Sequence, residues 1–239
     1  MYHLRLLCFV FLLSCVLSSC AKHAFHFVSP DYQPDKKNQV TLLSPYLYQG
    51  IIRSGNKVEL KDSLNYAIAT ILDEQLPKHL AGAENIQPIT VSPKTRRDLG
   101  TYLYRVRLDS EYNRRKIRRV KIPQQICEEL QQEGAQFVTV FVSDGHARTT
   151  NNYSNMAAAS RAANATLALT TLAFTPYQVG KVGKIGAKNA SIQPYSSSLE
   201  LFVLDVQKQE VLKYQRSMLY LPPTNPFTIR QHLTSLFLE

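Results

Sequence analysis

The stretch Leu199–Tyr220, "LELFVLDVQKQEVLKYQRSMLY", sets two β-rich runs on either side of a polar "DVQKQE". Branched and aromatic residues dominate both runs, and Asp205 stands where its short acidic side chain can start a turn, so the spacing predicts an antiparallel hairpin. Downstream, "NPFTIRQHLTSLFLE" (Asn225–Glu239) reads as a closing helix with Thr224 or Asn225 near its start. Upstream, "AQFVTVFVSDG" (Ala135–Gly145) is an almost unbroken apolar run, the pattern of a core strand covered on both faces.

Further outward the elements alternate. "NQVTLLSPYLYQG" (Asn38–Gly50) reads as a strand ending at a glycine, and Asn56–Glu59 as a short edge or turn. In "DSLNYAIATILDEQLPKHL" (Asp62–Leu80), Leu64, Ala67, Ile68, Ile71, Leu72 and Leu76 recur at helical spacing. Asp62 or Ser63 can cap that helix, and Pro77 ends or bends it. "NIQPITVS" (Asn85–Ser92) reads as a short strand. "TRRDLGTYLYRVRL" (Thr95–Leu108) alternates enough for a strand and spaces well enough for a helix; helix is the reading taken, with Gly100 against it. "IPQQICEELQQEG" (Ile122–Gly134) is a clearer helix, with Pro123 in the first turn and Gly134 just past the end. The order implies a mixed α/β (α+β) fold. It is a single layer of mixed, partly parallel sheet with helices packed on it, plus the carboxy-terminal hairpin and helix.

The amino end carries a different signal. "MYHLRLLCFVFLLSCVLSSC" has Arg5, then an apolar core from Leu6 to Leu17 broken only by Ser14. That core is shorter than the roughly 20 residues a spanning helix needs, and the layout is that of an export signal. Leu17-Ser18-Ser19-Cys20 resembles a bacterial lipobox. The resemblance implies cleavage after Ser19, a diacylglyceryl group on Cys20, and firm membrane attachment. Cys8 and Cys15 then leave with the signal and Cys20 is lipidated, so of four cysteines only Cys127 stays free. No disulfide framework or thiolate metal site follows. Cys127, on a helical pattern beside Ile126, reads as a small buried apolar residue. Ala21 and Lys22, in place of an Asp, imply by the same resemblance sorting to the outer membrane, with the periplasmic face favoured. Residues 1–19 are thus expected as signal, 20–37 as tether and 38–239 as one domain. That domain carries a basic segment at 102–121 and an Ala/Gly-rich insertion at 151–191.

The order of elements, and the hairpin wording, resemble the small periplasmic domain shared by the TolB amino-terminal region, the curli secretion lipoprotein and other envelope-assembly lipoproteins. In that group a strand, a turn often written D-x-x-T-G and a second strand recur. Asp205 matches; Lys208-Gln209 replaces the Thr-Gly pair. The resemblance is one of topology, from about Gln39 to Phe237, and implies an envelope binding or assembly role.

No catalytic constellation stands out. In "SDGHART" (Ser143–Thr149), Ser143, Asp144 and His146 follow the core strand, yet neighbours on a strand point apart and Asp-Gly is a common turn pair. The histidines are scattered without metal-ligand spacing. "GKVGKIG" (Gly180–Gly186) lacks the spacing of a phosphate loop and reads as a flexible basic loop.

The chain has a net charge of +10. In an exported protein this favours anionic lipid or an acidic protein partner over nucleic acid. The densest basic cluster is Arg105, Arg107, Arg114, Arg115, Lys116, Arg118, Arg119 and Lys121. It is either a solvated face or a surface held against a membrane or partner. The expected function is a non-enzymatic binding or assembly module in the cell envelope, anchored to the outer membrane and without a cofactor. The first alternative is a homo-oligomeric secretion component inserting through 151–191, and the lesser one a hydrolase.

Overall fold

A computed structural model of the chain describes residues 25–32, 39–80, 85–112, 117, 119–160 and 192–237. The lipobox with Cys20, the basic residues Arg114, Arg115, Lys116 and Arg118, and positions 161–191 lie outside them. A mixed sheet of seven strands forms the centre. In chain order these are β1 (Phe25–Val28), β2 (Gln39–Ile52), β3 (Glu59–Leu60), β4 (Asn85–Ile89), β5 (Phe137–Arg148), β6 (Tyr195–Asp205) and β7 (Glu210–Leu219). The sheet runs β1-β7-β6-β5-β2-β3, and β4 also lies beside β2. β2 pairs in parallel with both β4 and β5, while β5, β6, β7 and β1 are joined antiparallel.

Among the described residues four helices cover the sheet: α1 (Asp62–His79), α2 (Pro93–Tyr112), α3 (Gln124–Gln132) and α4 (Pro226–Phe237). They divide between its two faces because strand residues alternate in direction. Leu99, Leu103 and Val106 of α2 and Ile126 and Leu130 of α3 pack with Leu43, Val138, Val140 and Phe202. On the other face, Ile68 and Leu72 of α1 and Ile229 and Leu233 of α4 meet Phe141, Leu199, Leu201 and Val203. The expected α/β class holds, with both faces of the sheet layered. A further helical segment spans 150–160.

The hairpin forms as expected. The Lys208 amide donates to Asp205 Oδ1 at 2.8 Å, closing the turn, and Gln209 takes φ +57 in the left-handed region. Cys127 is buried at 2% exposure, and burial pushes its thiol up to about 11.

Three local expectations change. Phe25–Val28, inside the expected tether, forms an edge strand on β7, because Phe27 enters the core and the Phe25 ring lies 5.2 Å from that of Tyr214. The α1 cap position is Lys61 rather than Asp62 or Ser63, without a side-chain cap; its backbone amide is already tied to the Gln49 carbonyl at 2.8 Å. Asp144-Gly145 is not a turn. β5 continues through it because ladders hold both edges there, Asp144 opposite Tyr48 and Ser198, Gly145 opposite Gln49 and Ser197. A Cβ on Gly145 would stand 2.6 Å from Gln49 Oε1 and 2.9 Å from the Ser196 carbonyl, so only glycine fits.

Candidate functional site

The site is a cleft of about 470 Å³ between α2 and the sheet. β2 makes one wall. Pro45 has no N–H for the ladder, and the register against β5 slips between Leu43 and Tyr46. Past that bulge Tyr46 and Tyr48, two residues apart, share the face toward α2. The Tyr46 hydroxyl donates to the Arg96 carbonyl at 2.7 Å. The Arg96 guanidinium rests 4.5 Å from the Tyr46 ring centre and donates to the carbonyls of Ser44 and Pro45. Burial raises both phenols, Tyr46 to about 12, so the rings are neutral at physiological pH.

Gly100 supplies the closeness. A Cβ there would lie 3.0 Å from Tyr46 Cε1 and 3.5 Å from the Tyr48 hydroxyl. The glycine that argued against a helix in the sequence is therefore what lets the helix rest on the tyrosines. Leu103, Val142 and Phe202 line the interior, and Tyr48 and Tyr104 stand at the mouth, 42% and 59% exposed.

The inner end is polar. Glu200 of β6 is 1% exposed, with Oε1 between Arg107 Nε at 3.3 Å and Arg216 Nε at 3.4 Å. The Tyr214 hydroxyl donates to Glu200 Oε2 at 3.1 Å. Arg107 Nη1 reaches Asp144 Oδ2 at 3.2 Å, and Arg216 Nη1 reaches Glu111 at 2.7 Å. Burial pushes the Glu200 carboxyl above its usual value, against the pull of Arg107 and Arg216. Burial also works to lower Arg107, yet Glu200 and Asp144 carry it above its usual value. The network thus holds buried charges by mutual pairing, and removing one member strands the rest.

The described members of the basic segment are Arg105, Arg107, Arg119 and Lys121. Arg107 turns into the cleft, Arg105 and Arg119 are exposed, and Lys121 lies 3.6 Å from Glu210 beside the β6–β7 turn. Ser143 and His146 fall on opposite faces of β5. Ser143 is buried and accepts from Gln49 Nε2 at 3.0 Å, while burial, and then Arg148, lowers His146. Among the described residues, no group of three His, Cys, Asp or Glu is placed to hold a metal ion, and no helix is long and apolar enough to cross a membrane.

Tyr46, Tyr48, Arg97 and Glu200 were not singled out by the sequence. For Glu200 the signal was incomplete: counting back from the hairpin turn sets it opposite Gln215, and the one-residue register shift between Val203 and Leu204 brings it opposite Arg216 instead. The tyrosines gave none, since aromatics at a two-residue interval are ordinary strand residues.

No family model and no curated protein sequence matches the chain. Solved structures that overlap it at a distance include two of PelC. A PelC dodecamer from Paraburkholderia phytofirmans has 8% identity over 91% of this chain and 98% of its own, with a TM-score of 0.38. A point variant of the same dodecamer has 8% identity over 90% and 94%, with a TM-score of 0.34. Overlap this loose transfers neither a function nor an assembly to this chain.

Proposed function

We propose that this chain is a lipid-anchored module of the bacterial cell envelope, facing the periplasm from the outer membrane, that binds a partner in the α2 cleft and performs no chemistry on it. The export signal and Cys20 support the placement. The single observation that supports binding is the cleft itself, an apolar hollow with tyrosines at its mouth and paired charges at its end. A proton-transferring carboxylate has to be free to change state, and Glu200 sits between two guanidiniums. The cleft is therefore organised to hold a shape.

A photo-crosslinking amino acid at position 104, in the cleft mouth, tests this in intact cells. The expected outcome is capture of a discrete envelope partner, lost when Thr101→Trp narrows the mouth. The control probe sits at Tyr66, 76% exposed on the opposite helix layer. Equal capture from position 66 overturns the cleft as the binding site. Anchoring is tested by Cys20→Ser, which is expected to move the chain from the membrane fraction to the soluble one.

A further inference from the structure

The cleft has an apolar interior, an inner end whose charges are paired, and at the mouth a cation without a carboxylate partner among the described residues. Glu200 and Asp144 face Arg107 at the inner end, and Arg216 closes on Glu200 and Glu111. A further charge brought there meets a like charge whichever sign it carries. Arg96 is committed, with both terminal nitrogens on backbone carbonyls and its plane on Tyr46. Arg97, the next residue, is exposed and has no carboxylate partner among the described residues. The complement of this arrangement is an apolar body bearing one negative charge at the mouth. The net charge of +10 favours the same sign from a distance.

A second hollow, of about 330 Å³, adjoins the first across Tyr46 and Tyr48 and is bounded by Leu47 and Pro93. Arg96 and Arg97 line both hollows. Arg97 therefore stands on the ridge between them. A small acid fills one hollow, whereas a chain end reaches both: its last side chain enters the larger, its carboxylate meets Arg97, and the preceding residues lie in the smaller. Building on the reading of the cleft as a binding site, we infer that it receives the free carboxyl terminus of a polypeptide whose last residue is large and apolar.

Calorimetric titration of the full chain with acetyl-Gly-Leu-Phe as the free acid, and with the same peptide as its carboxamide, tests the assignment. The acid is expected to bind about tenfold more tightly, since a charge-assisted hydrogen bond to Arg97 separates the two. Arg97→Gln is expected to bring the acid down to the affinity of the amide and leave the amide unchanged, with the same circular dichroism. Equal affinity of acid and amide for the unaltered chain overturns the carboxylate and leaves the cleft standing. Acetyl-phenylalanine binding as tightly as the peptide overturns the chain end in favour of a small acid. Should neither peptide bind while position 104 still captures a partner, the ligand class falls alone; if capture fails as well, both readings fall.

Discussion

The two faces of the sheet bury polar groups in opposite ways. Toward α2, Glu200, Arg107 and Arg216 are charged and matched, and the layer stands open at the cleft. Toward α4, His232 is fully buried between two serines, with Nε2 2.9 Å from Ser197 Oγ and Nδ1 2.9 Å from Ser217 Oγ. Ser197 donates to the Leu219 carbonyl at 3.3 Å, so it accepts from Nε2–H, and Nδ1 accepts from Ser217. Around His232 that face is neutral and closed. The difference teaches where partner recognition can sit. A neutral hydrogen-bonded tie lets helix and sheet meet without a gap. A charged network needs planar groups with room around them, and the room is the cleft.

The sharpest way to break the comparison is Glu200→Ala. It leaves the half-buried Arg107 and Arg216 without their shared, fully buried carboxylate, and the expected loss is about 3–5 kcal/mol in urea unfolding. A loss below 1 kcal/mol would mean that the charged face is solvated after all.

The neutral face is tested by acid. Burial lowers His232 from 6.5 to about 4. Between those values the unfolded chain binds a proton that the folded chain refuses, so its neutral-form advantage is whole above pH 6.5 and lost as pH falls toward 4. The expected loss across that window is up to about 3 kcal/mol. His232→Gln, with an amide to meet both serines, is expected to flatten this part of the stability–pH curve. An unchanged slope would reassign it to other groups.

How much of this was legible depends on whether a residue's partner lay nearby in sequence. The hairpin was legible because Asp205 and its flanking runs carry their own turn, although the register shift between Val203 and Leu204 left no mark in the sequence. α1 and α3 were legible from periodicity alone. β1 was not, because four residues in a polar stretch gain strand character only from the β7 edge and the Tyr214 ring. Asp144-Gly145 misled for the same reason in reverse, its turn preference overridden by ladders on both sides. The cleft was the least legible feature. Tyr46 and Arg96 meet only once α2 is laid on β2, and Gly100 looked like a helix breaker until the rings beneath it were placed.

A smaller test separates the charge of Glu200 from its hydrogen bonding. Tyr214 is fully buried, its ring 4.5 Å from that of Phe202. Tyr214→Phe keeps that packing and removes the donor to Glu200 Oε2, for an expected cost of about 2 kcal/mol. Near-zero cost would show that the two arginines alone satisfy the carboxylate.

The smallest expected effect bears on both faces at once. β6 and β7 carry Glu200 opposite Arg216 toward α2, and Ser197 and Ser217 toward His232. Both arrangements thus depend on one register, set by the one-residue shift between Val203 and Leu204 and by the turn at Asp205. Gln209 holds φ +57 there, a conformation that costs a residue with a Cβ on the order of 1 kcal/mol and glycine almost nothing. Gln209→Gly is therefore expected to stabilise the fold by about 1 kcal/mol, less glycine's greater freedom in the unfolded chain. Because it tightens the register without touching either polar group, the acid slope from His232 and the peptide affinity of the cleft should stay as they are. A gain in stability that altered either one would mean that the turn tunes the two faces separately, and that the hairpin is not the common frame they share.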